Sequence, residues 1–396
     1  MRSGKAGGIV LILCTLVSLA IANAPFGAGY LAFWHVSVAG LSIELWVNDA
    51  LMAVFFLLIG LELKRELQNG ELSDLRNAML PILAAAGGIA FPSLIHFTLN
   101  GGTPTQAGIG IPMATDIAFA LGVLSLLGKK VPASLKVFLA ALAVMDDLGA
   151  IIVIAVFYTA HLSFAYLLAA LAVFGALVAL NRLANVKSLL PYLLGGAVMW
   201  FLMLQSGVHA TIAGVLLAFA IPCSDTQDDA ESPSHRLEHV LHQPVAFFIL
   251  PVFALANTGI VIATGWAGEL LSPNSLGILL GLALGKPLGI FLFTFAAVAL
   301  GVCRMPLDLA WRHVLGAGML GGIGFTMSIF ITNLAYTGQA DVINASKMAI
   351  LIGSLVAGVI GFAWLTWKGA PLESDPDVDT MDFDDAPLRA RRTAPD

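Results

Sequence analysis

Two aspartates stand side by side in a run of apolar residues. Asp146 and Asp147 lie in Ala143-Val144-Met145-Asp146-Asp147-Leu148-Gly149, inside an apolar stretch from about Val137 to Tyr158. About twenty such residues, rising about 1.5 Å each, cross a bilayer as a helix. Lys136 marks one end of the stretch, so the carboxylates fall about ten residues deep, near the midplane. A carboxylate there costs at least ~2.5 kcal/mol on insertion scales, and two neighbours also repel each other. Asp116, with Thr115 before it, and Lys286 reach comparable depth in other apolar runs. Consecutive helical residues point about 100° apart, so Asp146 and Asp147 cannot do the same job. One can face a cation while the other faces a cavity. Lys286 is the basic candidate at that depth, which makes an Asp146–Lys286 ion pair across the bundle the economical expectation. Asp116, beside an unwound segment, would meet the positive end of a half-helix. Thr115 adds an oxygen of the kind a hard cation prefers.

Duller readings stand beside these. The Asp146–Lys286 pair could be a structural clamp, although that leaves Asp147 and Asp116 unexplained. Lys347 sits near the end of its run and can snorkel. Lys129 and Lys130 read as topology determinants. A second cluster joins Glu62, Lys64, Arg65 and Glu66 with Glu238, His239 and His242. Histidines beside carboxylates titrate between about pH 5 and 8, so this cluster is either a pH sensor or a solvated charged rim. His209, in Ser206-Gly207-Val208-His209-Ala210-Thr211, is open in the same way.

The elements that must hold these residues follow from the rest of the chain. Its 396 residues are 59% hydrophobic and only 11% charged, where a soluble domain is nearer a quarter charged. That composition implies an all-α polytopic membrane protein. Breaking the apolar runs at charges, prolines and glycines gives twelve candidate spans, roughly 8–24, 49–66, 78–99, 107–127, 137–160, 164–181, 189–204, 208–221, 244–263, 274–302, 313–335 and 344–367. With the N-terminus cytoplasmic, every Lys and Arg except Lys286 and Lys347 falls on the inner side, as the positive-inside rule requires. Both termini are then cytoplasmic. Arg2, Lys5 and the run Ile9–Ala22 imitate a signal peptide, but Pro25 disfavours cleavage after Ala24, so the run is expected to stay as the first span. Between the first two spans, Tyr30 to Trp46 alternates polar and apolar residues and suggests a small outer β-hairpin. The fourth span is broken by Gly108, Gly110 and Pro112, and the eleventh by Gly316, Gly318, Gly321, Gly322 and Gly324. These two interrupted spans run in opposite directions, as in the inverted repeats of transporters. Residues 1–368 form the transporter domain, and 369–396 an acidic cytoplasmic tail expected to be disordered.

At these residues the chain resembles the NhaA family of bacterial sodium/proton antiporters. The matching stretches are Ala114-Thr115-Asp116-Ile117-Ala118-Phe119-Ala120, Val144-Met145-Asp146-Asp147-Leu148-Gly149-Ala150, Gly285-Lys286-Pro287-Leu288-Gly289 and Gly322-Ile323-Gly324-Phe325-Thr326-Met327-Ser328. Leu58 to Leu67 and Val208-His209-Ala210-Thr211 also match, and the likeness covers roughly residues 5–368. Inverted repeats were defined partly on this family, so their fit here adds nothing independent. The resemblance implies twelve helices, with helices four and eleven crossing near the midplane. It implies that Asp147 is the principal sodium carboxylate, with Asp116, Thr115 and Asp146 near the ion. Asp146 would exchange its pairing with Lys286 for protonation. Glu62, Arg65, Glu238, His239 and His242 match positions tied to pH response, with His209 grouped beside them. The outer hairpin, about residues 30–46, would support a homodimer.

The combined reading is an electrogenic, pH-regulated antiporter in the bacterial inner membrane. It would export Na+, and Li+ as well, in exchange for protons, with lipid as its surroundings. It needs no cofactor, binds no nucleic acid and is not an enzyme. A sodium-coupled solute symporter is the closest rival. An intramembrane aspartyl protease needs two aspartates facing each other across two helices, whereas this pair is adjacent on one. No P-loop or GxSxG elbow supports an ATP-driven pump or a hydrolase.

Overall fold

The computed structural model describes residues 2–371 except 71–72, 74, 159–161, 224–231 and 263–264. The expected disorder of the tail therefore falls, beyond Pro371, outside the described residues. The chain is mostly helical. It opens with α1 (Arg2–Ala22) and α2 (Gly27–Trp34), bent by 118° at the break between them. Strands β1 (Ser37–Val38) and β2 (Leu41–Ser42) pair antiparallel, with Ser37 opposite Ser42. Ala39 and Gly40 both take positive φ, 51° and 87°, as a tight two-residue hairpin turn demands. The sheet is shorter than the sequence suggested. Residues Tyr30–Trp34, expected in the hairpin by alternation, close α2 instead.

The helices then follow in order. α3 (Ile43–Leu45) runs through a π-helical turn, Trp46–Leu51, into α4 (Met52–Asn69), and α5 (Leu75–Asn100) contains Pro81 and Pro92. A 3-10 segment, Gln106–Met113, is separated from α6 (Ile117–Leu127) by three residues without helical structure, Ala114, Thr115 and Asp116. Next come α7 (Ala133–Phe157), α8 (Phe164–Arg182), α9 (Leu189–Ser206), α10 (Ile212–Ala220) and α11 (Pro233–Pro244). After a π turn, Val245–Ile249, stand α12 (Leu250–Asn257), α13 (Trp266–Glu269) and α14 (Pro273–Leu280). A third π turn, Gly281–Gly285, precedes α15 (Lys286–Ala299), and the chain ends in α16 (Trp311–Gly321), α17 (Phe325–Ala335) and α18 (Ala340–Lys368).

Among the described residues nine helical stretches are long and apolar enough to cross a membrane, or up to eleven if each bent pair is one span. The second bent pair is α16 with α17, at 48°. α10, with nine residues, is shorter than a hydrocarbon core requires. Its face is nonetheless buried, with Ala213, Gly214, Leu217 and Ala218 turned inward. The outward faces show what surrounds the bundle. Phe164, Leu168, Leu190 and Leu194 are each more than 60% exposed. Helices apolar on every side belong in lipid, and the chain is a multi-pass membrane protein.

The centre is held by a close backbone approach. A side chain on Gly289 of α15 would meet the carbonyl of Gly87 on α5, and one on Gly87 would meet the carbonyl of Gly289. Where lipid tails are as apolar as the helices, such small residues allow the dense contact that drives association. This contact sets α5 and α15 side by side, and α7 packs against α5 as well. A Cβ on Gly88 would lie 3.6 Å from Asp146 Oδ1.

Candidate ion site

Lys286 begins α15 immediately after the π turn, and Pro287 follows it. Proline has no N–H to donate, so it fits a place where the helical ladder is already widened, and such widened turns recur at functional positions. The Lys286 ammonium donates to Asp146 Oδ2 of α7, forming the ion pair expected between them, and to Thr115 Oγ1 at 2.7 Å. Thr115 Oγ1 also lies 2.6 Å from Asp146 Oδ2 and 2.8 Å from the Gly321 carbonyl. A hydroxyl has one proton, so it serves one of those acceptors at a time. All three side chains are fully buried. The cluster thus ties together α7, α15, the break before α6 and the last carbonyl of α16.

Asp116 does something different. It is the N-cap of α6, with Oδ1 accepting from Phe119 N at 3.0 Å. Its Oδ2 accepts from Thr326 N at 3.2 Å and from Thr326 Oγ1. Thr326 is in the first turn of α17, and Asp116 N donates back to Ile323 O at 2.7 Å. One carboxylate therefore closes the N-termini of two helices, where free N–H groups and the helix dipole favour negative charge. Asp116 thus meets two helix N-termini, those of α6 and α17.

Asp147 has no such partners. It is 1% exposed, and neither carboxylate oxygen has a hydrogen-bond partner among the described residues. Asp146 Oδ1 is in the same condition. Buried polar atoms without partners are rare and costly. Of the four residues expected to surround a sodium ion, Thr115 and Asp116 have their side-chain oxygens engaged by the protein. The open acceptors are Asp147 Oδ1 and Oδ2 and Asp146 Oδ1. Three carboxylate oxygens in a buried setting can hold a hard monovalent cation or a proton.

The other expected cluster forms where α4 meets α11. Arg65 Nε lies 3.3 Å from Glu238, and Arg65 Nη2 is 3.1 Å from Glu66. His242 Nε2 lies 3.2 Å from Glu62. Ligand atoms of Glu62, Glu238 and His242 lie within 4.8 Å of one another. His239 differs from the expectation. Adjacent to Glu238 in sequence, it points outward and is exposed, because neighbours on a helix diverge by about 100°. The carboxylate–imidazole contact in this cluster is Glu62 with His242, three residues beyond His239. His209 is elsewhere, its ring set edge-on to Phe330 at 6.4 Å between centroids, with Nδ1 unpartnered among the described residues.

Two contributors escaped the sequence reading. Thr326 stands in the matching stretch Gly322 to Ser328 with no role assigned to it; an Asp in one broken segment with a Thr at the matching place of the other was the available signal. Lys64 had been grouped with the charged rim. It is buried at the C-terminus of α10, where its ammonium donates to the carbonyls of Ala218 at 3.4 Å, Phe219 at 3.2 Å and Ile221 at 2.5 Å. A cation is at its best against the unpaired carbonyls of a helix end.

Comparison with known proteins places this arrangement. The family model described as Na+/H+ antiporter 1 matches residues 1–365. The Na(+)/H(+) antiporter NhaA of Dechloromonas aromatica is 73% identical, over 92% of this chain and 94% of its own. The Na(+)/H(+) antiporter NhaA 1 of Flavobacterium johnsoniae is 58% identical over the same shares. The NhaA antiporter of Helicobacter pylori strain 26695 is 47% identical, again over 92% and 94%. With a family model spanning nearly the whole chain and relatives this similar, the protein belongs to the Na+/H+ antiporter 1 family.

Proposed function

We propose that the protein exchanges Na+ for H+ across the bacterial inner membrane, exporting Na+, and Li+ as well, while more protons than cations return. The observation that carries this is Asp147, buried beside the Asp146–Lys286 pair with both carboxylate oxygens lacking a protein partner. A carboxylate so placed needs a proton or a cation, and cannot hold both fully. That competition is the exchange. When Na+ occupies Asp147, with Asp146 Oδ1 contributing, the protons must be elsewhere; when protons arrive, the ion leaves. Asp146 can give up Lys286 for a proton, which makes a second proton-linked step and a net movement of charge. Exposure of the site to one side at a time then couples the inward proton gradient to sodium export without ATP.

In this reading the chain crosses twelve times, with α10 counted as a span and the segments around Asp116 and Thr326 as interrupted helices near the midplane. Both termini are cytoplasmic. Glu62, Arg65, Glu238, His239 and His242, with His209, adjust activity to pH, and the hairpin at residues 37–42 supports a dimer. The test uses everted membrane vesicles carrying a pH-sensitive dye. Added Na+ or Li+, but not K+, should collapse a pre-formed acid-inside gradient, more steeply as pH rises. Uptake of an organic solute that requires Na+, with no proton release, would overturn the reading in favour of a symporter.

A further inference from the structure

The acidic tail is the feature of the sequence that the exchange does not use, and it lies beyond the residues the family model matches. From Glu373 to Asp385 it carries Glu373, Asp375, Asp377, Asp379, Asp382, Asp384 and Asp385, with no Lys or Arg among them. So dense a run of like charge repels itself and needs an opposite surface or open water.

The structure fixes where this run begins. At the end of α18, Gly369 is buried, and a side chain there would come within 3.0 Å of Val131, just after Lys129 and Lys130. The next residue is held by its carbonyl. Arg312 Nη2 donates to Ala370 O at 2.8 Å, and His313 Nε2 lies 3.1 Å from the same oxygen. His313 Nδ1 accepts from Ala310 N at 2.9 Å, so Nε2 carries the proton and donates to Ala370. Trp364 Nε1 donates to Arg312 O at 2.8 Å, closing the contact from the α18 side. The chain is thus pinned to the first turn of α16 one residue before Pro371, and is released beside a basic corner.

That corner comprises Lys129 and Lys130, both exposed, on the turn between α6 and α7; Arg312 on α16; Lys368 at the end of α18; and Arg304, exposed, on the loop before α16. Asp308 of that loop is 7% exposed and accepts from Ser134 N at 3.3 Å, which ties the loop to the first turn of α7. Its charge is thereby turned inward. Lys368 lies over the Trp367 ring at 4.2 Å. Arg312 Nε has no hydrogen-bond partner among the described residues.

We propose that the segment Glu373–Asp385 docks in cis on this basic corner, at the foot of α16 and the α6–α7 turn. Reach is ample. A random coil of thirteen residues has a root-mean-square span of about 20 Å, and the segment starts three residues after the pinned Ala370. Tethering makes the encounter intramolecular, at an effective concentration in the millimolar range for so short a link. Charge opposes charge over several contacts, so the docking is ionic and salt-sensitive. It bears on the elements that lead to the proposed ion site, since α6 is capped by Asp116, α7 carries Asp146 and Asp147, and α16 ends at Gly321.

The test is zero-length carbodiimide cross-linking of the full chain in zwitterionic lipid nanodiscs, followed by peptide mapping. No lysine follows Lys368 in the sequence, so any amide from a tail carboxylate to a lysine joins the tail to the membrane domain. Cross-links from residues 373–385 to Lys129, Lys130 or Lys368 are expected at low salt. They should be largely lost in 1 M salt, where the Debye length is about 3 Å, and in the full chain with all seven acids changed to Asn or Gln. Mixing isotopically heavy and light protein before reconstitution separates the sources, because docking in cis gives no mixed pairs. Mixed pairs alone would mean docking on a second copy and overturn the proposal. Loss of the cross-links when anionic lipid replaces zwitterionic lipid would assign the basic corner to the membrane surface and overturn it also, as would cross-links to other lysines only.

Discussion

Replacing Lys286 by Met and Asp146 by Asn, singly and together, tests the centre of the site most directly. Both side chains are fully buried. Lys286→Met keeps the chain length and removes the ammonium. Asp146 is then left with Thr115 as its partner, and its Oδ1 already lacks one. Asp146→Asn leaves the ammonium with Thr115 and a neutral amide. Breaking a buried pair by removing one member costs about 3–5 kcal/mol, whereas replacing both by neutral groups of similar size is often harmless. The orphaned group can limit its penalty by gaining or losing a proton, at about 1.4 kcal/mol per pH unit of mismatch. A coupling of at least about 2 kcal/mol should therefore survive in the double-mutant cycle. Unfolding in detergent by a graded denaturant, followed by tryptophan fluorescence, measures all four corners. The double variant should be more stable than the sum of the singles predicts. Additivity within about 0.5 kcal/mol, the usual figure for independent sites, would mean the two charges do not meet in the membrane-extracted protein.

Further outcomes follow from the same geometry. Asp147→Asn should abolish Na+-dependent proton movement in vesicles without lowering thermal stability, because no protein hydrogen bond is lost; exchange retained in correctly inserted protein would remove Asp147 from the ion site. Gly289→Ala should destabilise by about 1–3 kcal/mol, the range for an overpacked core, since the new methyl meets the Gly87 carbonyl; an unchanged melting temperature would show that α5 and α15 are not in backbone contact. Glu238→Gln removes the carboxylate facing Arg65 and should shift the pH profile of exchange while sparing the maximal rate. A full pH titration at saturating and limiting Na+ checks this, and a rate loss that no pH restores would count against a regulatory role.

What was legible in the sequence was set by scarcity. In a chain only 11% charged, an ionisable residue within an apolar run stands out, and Lys286 was the basic residue deep enough to meet Asp146. Periodicity also separated Asp146 from Asp147, and their different surroundings follow from that divergence. Other features depend on contacts between distant segments. Thr326 is a common polar residue, and its tie to Asp116 becomes visible when α6 and α17 end against each other. Lys64 obeys a rule about sidedness that is silent on whether a lysine is wet or buried. The alternation from Tyr30 to Trp34 misled because a period of two over five residues is weak evidence, and the adjoining Gly27-Ala28-Gly29 continued into the helix. His239 and His242 cannot be ranked by adjacency to Glu238; helical phase and the position of α4 decide which imidazole meets a carboxylate.

Asp116 has a consequence for how the protein can move. Its two oxygens hold the starts of α6 and α17, which are about two hundred residues apart in the chain and are also joined by Asp116 N to Ile323 O and by the Phe119–Phe325 ring contact. An ion that drew Asp116 into its coordination would have to take those oxygens from three donors at once, on two helices. The carboxylate therefore acts as a pin, and parting the starts of α6 and α17 means breaking hydrogen bonds from three donors at one residue.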